Sequence, residues 1–337
     1  MKSNARAPIR RALAFTFATA TSLLALARPA ASATVERASI TVGERERHYL
    51  LVRPDHAPDG PRPLVLILHG HGGSAAGALG RTGAAAPLGV WLEIADREGL
   101  LLAALDGAVG RDGQQSWHDC REDAARTPGT DDVAFAHAVV ERLAREERAD
   151  TTRLYAMGMS LGGMMTYRLA LELTPPLVAF AAMGASMAEN SDCAPPGRPV
   201  SALIIHGTDD PLVPYEGGEV APQRPGGGRT LPIERVVALW CAVDSIRGAP
   251  TETTLPHRST GGDPTRTTRI LYPPGAGGAR VEFMRVKGGG HSEPSLTQFF
   301  PYPASRRFGP QSHDFECAEE AWSFFASLRV PGEAPPR

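Results

Sequence analysis

RLYAMGMSLGGMM, residues 153–165, is the stretch that decides the fold. Its first part is an apolar run typical of a strand buried on both faces, and its second part fits the beginning of a helix. Gly158-x-Ser160-x-Gly162 lies at the junction. A serine at a sharp strand-to-helix turn needs small residues two positions away on each side, because side chains there would block the turn. The stretch therefore predicts a strand, a strained turn that exposes the hydroxyl of Ser160, and a helix.

Apolar runs rich in branched residues recur along the chain and alternate with helical patterns. Strands that alternate with helices form βαβ units, whose strands pair in parallel. The sequence therefore predicts an α/β fold, with a mostly parallel central sheet and helices on both faces. No linker or repeat interrupts this order, so residues 34–337 are predicted to form a single domain. The predicted strands are 63–70, 101–107, 153–160, 178–186 and 201–207, followed by TTRILYP and VEFMRVK, and the predicted helices are 88–98, 131–148, 161–173, 232–247 and 318–328.

Two other kinds of segment flank this alternation. Residues 34–53 alternate polar and apolar side chains, which predicts an antiparallel hairpin at a sheet edge with its turn near Gly43. Gly/Pro-rich stretches at 221–228, 273–279 and 301–310 are predicted to be surface loops.

The first 33 residues are predicted to be a signal peptide. Basic residues precede an apolar run of about 15 residues, and Ala31-Ser32-Ala33 forms a small-x-small cleavage site. A membrane anchor is the alternative, but a span needs about 20 apolar residues, and no second stretch approaches that length. We therefore expect a secreted protein, extracellular or periplasmic, that contacts no membrane after cleavage.

Cleavage leaves an acidic chain. It removes five basic residues and no acid, so 30 basic residues face 37 acidic ones, a formal charge of −7. This balance argues against nucleic acid as a partner. In an oxidising compartment the four cysteines can pair in three ways, and one or two disulfides or free buried thiols are all open. They are Cys120, Cys193, Cys241 and Cys317.

A serine nucleophile needs a general base that is held by an acid. Asp209 and Asp210 follow the buried strand SALIIHG, at the sheet end predicted for Ser160. His291 follows a later strand and three glycines. The order Ser, Asp, His predicts Ser160, Asp210 and His291 as the catalytic residues. Asp209 is the alternative acid, and His313, which precedes the last helix, is the rival base.

The tetrahedral intermediate of acyl transfer needs two backbone N–H groups as an oxyanion hole. Leu161, directly after the nucleophile, is predicted to supply one. The other is predicted in the glycine-rich loop after PLVLILHG, from His71 or alternatively Gly72. His69-x-His71 is also compatible with a metal pair, but no carboxylate lies at metal-site spacing, so no metal is predicted.

These motifs together resemble the secreted polyhydroxybutyrate depolymerase and feruloyl esterase group, the carbohydrate esterase family 1 type of the α/β-hydrolase superfamily. The resemblance runs over most of the mature chain, from LILHGHGGS through SWHDC, DDVAF, GMSLGGMM, HGTDDPLVPYEGG and GGGH to AEEAWSFF. It implies an α/β-hydrolase fold, no cofactor, and ester hydrolysis through an acyl-enzyme. By position, the family triad falls on Ser160, Asp210 and His291.

One departure bears on the substrate. Many members of the family follow the catalytic histidine with x-Trp-Pro, whereas this chain has Ser292-Glu293-Pro294, which places an acid where an aromatic wall is expected. Glu293, Trp117 and Tyr215 are predicted to contact substrate. Other loop aromatics that are candidates for lining a cleft are Phe299, Phe300 and Tyr302.

The sequence as a whole predicts a secreted serine carboxylic-ester hydrolase. Its substrate is expected to be a polyhydroxybutyrate-type ester of 3-hydroxyalkanoates. Feruloyl or acetylxylan esters of plant cell-wall polysaccharide are the alternative substrates. A more remote alternative is a non-catalytic relative that acts as a binding protein, but it would have a broken triad, and every element is present here.

Overall fold

The apolar runs of the sequence form one ten-stranded sheet. The computed structural model describes residues 33–56, 59–258, 263–301 and 306–328. The strands are β1 (Thr34–Val42), β2 (Arg45–Arg53), β3 (Arg62–Leu68), β4 (Leu101–Leu105), β5 (Ala108–Val109), β6 (Gln115–Ser116), β7 (Ala149–Met159), β8 (Ala179–Met183), β9 (Ser201–Gly207), β10 (Gly218–Glu219), β11 (Arg229–Thr230), β12 (Thr251–Thr254), β13 (Arg266–Leu271) and β14 (Val281–Lys287).

The middle of the sheet is parallel and its edges are antiparallel. The strand order is β1-β2-β4-β3-β7-β8-β9-β14-β13-β12. The strands from β4 to β14 in this order pair in parallel, while β1, β2, β13 and β12 add antiparallel edges. Two short ribbons, β5 with β6 and β10 with β11, lie outside the main sheet.

Helices cover both faces of the sheet. They are α1 (Ala75–Ala78), α2 (Trp91–Glu98), α3 (Asp132–Glu146), α4 (Leu161–Glu172), α5 (Ile233–Val243) and α6 (Cys317–Ala326), with 3₁₀ turns at Pro87–Val90 and Ala276–Gly278. On β3, Leu64 and Leu66 belong to the core that includes α3, α4 and α5, whereas Val65 and Ile67 belong to the core that includes α1, α2 and α6. Burial on both faces explains the continuous apolar run of β3.

The architecture confirms the predicted α/β class, and two strands of the ten-stranded sheet differ from expectation. The hairpin of β1 and β2 turns at Gly43, which has a positive φ of 59°, as predicted. TTRILYP forms β13, which runs antiparallel to β14 rather than extending the parallel part. The edge strand β12 was not predicted because its sequence, TETT, is fully exposed and carries no apolar pattern.

The predicted signal peptide, residues 1–33, lies outside the described residues except for Ala33, and it stays a prediction. The single domain of residues 34–337 stays a prediction as well. Within the described ranges, every helix is too short or too polar to cross a bilayer.

One of the three possible cysteine pairings is formed. Cys120 and Cys193 form a disulfide across 73 residues of sequence, and Cys241 and Cys317 are free. Closing a loop of this length stabilises a fold by about 4 kcal/mol in the chain-entropy model. The bond links the segment before α3 to the segment after β8. Burial raises the pKa of the Cys317 thiol well above its usual range, which keeps it protonated.

Candidate active site

The turn between β7 and α4 holds Ser160 in a strained backbone. Its φ of 57° and ψ of −124° are rarely adopted by a residue with a side chain. The flanking glycines are required by close contacts: a Cβ on Gly158 would lie 2.3 Å from the backbone of Gly162, and a Cβ on Gly162 would lie 2.2 Å from the carbonyl oxygen of Leu68. The helix can therefore begin directly against the end of β3, with the serine at its N terminus.

Ser160, His291 and Asp210 meet in one chain of hydrogen bonds. His291 Nε2 lies 2.8 Å from Ser160 Oγ, and His291 Nδ1 lies 2.7 Å from Asp210 Oδ2. The three residues follow the carboxyl ends of the parallel strands β7, β9 and β14. In the sheet, β9 pairs with β14, and β8 lies between β7 and β9. This is the geometry of a nucleophile, a general base and an orienting acid.

Backbone groups fix the carboxylate of Asp210. Its Oδ1 accepts hydrogen bonds from the N–H groups of Leu212 and Val213, each at 2.8 Å, which leaves Oδ2 for His291. Burial alone would raise the pKa of Asp210, but the His291 imidazole and these hydrogen bonds hold it below its ordinary value. The carboxyl is therefore ionised at neutral pH and can stabilise a positive imidazolium.

The loop that carries His291 is tied to its neighbours. The N–H of His291 donates to the carbonyl of Phe308 at 2.5 Å, and the N–H of Asp209 donates to Gly289 at 2.9 Å. The side chain of Asp209 accepts only a local hydrogen bond from Thr208. The rival base His313 contacts the carbonyl of Ser295 through Nδ1 at 2.8 Å. The structure thus brings Asp210 and His291, and not these alternatives, to Ser160.

Two backbone N–H groups beside Ser160 are available to bind an oxyanion. Within the described residues, the N–H groups of Leu161 and His71 have no hydrogen-bond partner, whereas that of Gly72 donates to Gln115 at 2.8 Å. A Cβ on Gly70 would lie 3.3 Å from Ser160 Cβ, so this loop borders the nucleophile. Of the two sequence alternatives, the geometry therefore favours His71 over Gly72.

His69 anchors this loop through both of its ring nitrogens. Its Nε2 accepts the N–H of Gly107 at 2.9 Å, so its proton sits on Nδ1 and is donated to Gly70 at 2.7 Å. Burial lowers the pKa of His69, which keeps the ring neutral. Trp117 Nε1 donates to the carbonyl of His69 at 2.8 Å. Among the described residues, no group of three potential metal ligands is present.

Ser160 opens into a large cleft of about 1210 Å³. Glu293, predicted to contact substrate, lines this cleft, and so does Phe300. Trp117 is fully buried beneath the glycine-rich loop of residues 69–73, called the oxyanion loop below, and does not line the cleft. Tyr215 also lies off the cleft, where its hydroxyl contacts Glu234 and Arg285. The substrate contacts predicted for Trp117 and Tyr215 therefore have no support in the structure.

The sequence analysis did not predict that three segments form the cleft wall. The predicted surface loop at 221–228 contributes to the wall, as do Arg307 and Phe308 of the predicted loop 301–310 and the segment 121–127. Arg121 holds two of these segments together, because it forms a buried pair with Asp119 at 2.7 Å and donates to the carbonyl of Gly227. Their position in the sequence could have indicated this role, because loops at the carboxyl ends of β-strands in open α/β sheets commonly carry binding residues. Tyr302 lies outside the described residues.

Comparison with solved structures supports the α/β fold described above. An acetyl xylan esterase from Aspergillus awamori superposes with a TM-score of 0.54, at 14% identity, over 86% of this chain and 99% of that chain. No family model matches the sequence. The topology and this likeness together define an α/β-hydrolase fold.

A protein with a similar sequence identifies the family to which this chain belongs. "Putative esterase NocK" of Nocardia uniformis subsp. tsuyamanensis is 34% identical over 284 residues, which covers 82% of this chain and 78% of the relative. The chain belongs to this esterase family, and the protein is a carboxylic ester hydrolase.

More distant relatives carry names that include a substrate. Feruloyl esterase B of Piromyces equi is 28% identical over 58% of this chain and 34% of its own length. Feruloyl esterase C of Emericella nidulans is 29% identical over 51% of this chain and 58% of its own length. The chain thus spans less than two thirds of each of these two relatives.

Proposed function

We propose that the protein is a serine esterase in which Ser160, His291 and Asp210 form the catalytic triad. The observation that carries this proposal is the continuous hydrogen-bond chain, with 2.8 Å from Ser160 Oγ to His291 Nε2 and 2.7 Å from Nδ1 to Asp210 Oδ2. The unpartnered N–H groups of Leu161 and His71 support it, because they are the donors that an oxyanion needs.

The reaction proceeds in two halves. Ser160 Oγ attacks the ester carbonyl carbon while its proton passes to His291 Nε2, and the carbonyl electron pair moves onto the oxygen held by Leu161 and His71. The tetrahedral intermediate then collapses, the bond to the alcohol oxygen breaks, and His291 gives that oxygen the proton. Water attacks the acyl-enzyme in the same way, which releases the acid and returns the proton to Ser160.

We further propose an ester of plant cell-wall polysaccharide, feruloyl or acetyl, as the substrate. The relatives described above are named for these esters, which favours them over the 3-hydroxyalkanoate esters expected from the sequence. The cleft of about 1210 Å³ has room for a sugar-bearing ester.

A labelling experiment and a substrate panel test the proposed function. A fluorophosphonate is expected to add once, on the peptide that contains Ser160, and to abolish activity. Feruloylated or acetylated xylan oligosaccharides should be hydrolysed faster than 3-hydroxybutyrate oligomers by the same sample. No adduct on native protein would exclude the serine mechanism and favour the binding-protein alternative, while faster cleavage of hydroxybutyrate oligomers would restore the first substrate expectation.

We also propose that the protein is exported and acts outside the cytoplasm. The disulfide between Cys120 and Cys193 supports export, because such bonds persist in oxidising compartments. Intact-mass analysis of the natively expressed protein is expected to give a chain that begins at Thr34 and contains this bond. A full-length cytoplasmic chain with four thiols would contradict export.

A further inference from the structure

Four arginines line the cleft that contains Ser160, namely Arg121, which is paired with Asp119, and three others. Arg126, Arg224 and Arg307 come from the three loop segments that form its wall. Arg126 is half-buried, and the other two are exposed. None of them takes part in the proposed chemistry.

The other charged groups of the wall do not neutralise these arginines. Arg121 is paired with Asp119, and Asp112 Oδ2 lies 3.1 Å from His71 Nε2. Because burial lowers the pKa of His71, its ring is neutral and Asp112 keeps one negative charge against the three arginines. In the described parts of the chain, Arg126, Arg224 and Arg307 form no ion pair within 4.0 Å. Glu293 remains, but burial raises the pKa of its carboxyl, which favours the neutral form. The cleft therefore carries an excess of positive charge.

The arginines lie near residues that border Ser160 and His291 in the cleft. Arg126 and Arg224 both act electrostatically on His71, in the oxyanion loop. A Cβ on Gly227 would lie 2.8 Å from an Arg126 guanidinium nitrogen, so the glycine gives this side chain its space. On the histidine side, the Arg307 guanidinium lies 5.3 Å from the ring centre of Phe308, whose carbonyl accepts the His291 N–H.

This local charge contrasts with the rest of the molecule. The full chain has a formal charge of −2, so its overall field does not attract anions. A guanidinium presents paired N–H donors that match the two oxygens of a carboxylate, and such charge-assisted hydrogen bonds are stronger inside a concave site. A surface arginine usually faces only water, but three unpaired arginines around one catalytic cleft of an acidic protein indicate a ligand.

We propose that the ester substrate carries a carboxylate away from the scissile bond and that Arg126, assisted by Arg224 and Arg307, binds it. The proposal rests on the proposed serine esterase function and narrows its substrate. The carboxylate belongs either to an acidic sugar on the alcohol side or to the far end of the acyl chain. Both sources present the same group to the guanidinium.

Matched ester pairs test the proposal and distinguish the two sources. For the acyl side, 4-nitrophenyl hydrogen adipate is compared with its neutral methyl ester. For the alcohol side, acetylated methyl glucuronoside is compared with acetylated methyl glucoside. In at least one pair, kcat/KM for the anionic ester should exceed that for the neutral ester by about tenfold or more, as expected for one hydrogen bond to a charged group.

The variants Arg126→Gln and Arg224→Gln locate the effect. Each is expected to lower the ratio of kcat/KM for the preferred anionic ester to kcat/KM for its neutral partner, Arg126→Gln by about tenfold. Arg247→Gln is the matched control, because Arg247 is exposed and does not line the cleft. It removes the same charge and should change neither rate.

The outcomes separate this proposal from the proposed function. Hydrolysis of the neutral esters with no anionic preference in either pair would overturn the carboxylate site and leave the serine esterase intact. A preference that Arg126→Gln and Arg224→Gln both preserve would also overturn it. Failure of every ester, together with no fluorophosphonate adduct, would overturn both.

Discussion

Ser160→Ala is expected to lower kcat by about 10⁵-fold or more, with KM nearly unchanged. The variant removes the atom that forms the acyl-enzyme but keeps the Cβ and the backbone of the turn. The proposed oxyanion donors, the N–H groups of Leu161 and His71, remain in place, so a residual rate above that in water should persist. Initial rates on a 4-nitrophenyl ester, together with stoichiometric burst measurements, check this prediction.

The control for this variant is a buried serine outside the triad. Ser186 is 1% exposed and donates its hydroxyl to the carbonyl of Leu231, so Ser186→Ala makes the same change without touching the nucleophile. Its kcat should stay within a few-fold of that of the native protein. Adding His291→Ala to Ser160→Ala should cost little more, because the residues of a triad act as one unit. A Ser160→Ala protein that keeps full activity would exclude the proposed mechanism.

The sequence predicted the central sheet because its strands are buried on both faces. A run such as PLVLIL in β3 supplies Leu64 and Leu66 to one core and Val65 and Ile67 to the other. Because every position is buried, every residue is apolar, and the strand can be recognised from its sequence. The geometry around Ser160 was predictable for a similar reason. Gly158 and Gly162 are positions at which any side chain would collide with the backbone, so the turn leaves a clear pattern in the sequence.

The walls of the cleft could not be predicted in the same way. Loops 221–228 and 301–310 have the Gly/Pro composition of any surface loop, and the place of the first is set by tertiary contacts such as that of Arg121 with Gly227. The presence of an aromatic residue in a loop did not predict whether that residue lines the cleft. Trp117 packs beneath the cleft because its Nε1–H finds a partner at His69, which composition alone does not reveal.

Asp210→Asn is expected to lower kcat by about 10⁴-fold while the protein stays folded. The N–H groups of Leu212 and Val213 both donate to Oδ1, so this position must hold the amide oxygen of the asparagine. The amide NH₂ then replaces Oδ2 and faces His291 Nδ1, which must accept a hydrogen bond in place of donating one. The ring proton is thereby placed on Nε2, and His291 can no longer take the proton of Ser160.

Asp209→Asn is the matched control because it makes the same substitution at the adjacent residue. The Asp209 carboxylate is exposed to solvent and accepts a hydrogen bond from Thr208 at 2.8 Å, with no contact to His291. Its kcat should stay within about threefold of the native value, since surface substitutions rarely perturb stability by more than about 0.5 kcal/mol. Steady-state kinetics of both variants, with thermal unfolding to verify folding, decide the assignment. If Asp209→Asn caused the large loss and Asp210→Asn did not, the orienting acid would be Asp209, because only the acid that fixes the histidine tautomer produces a loss of this size.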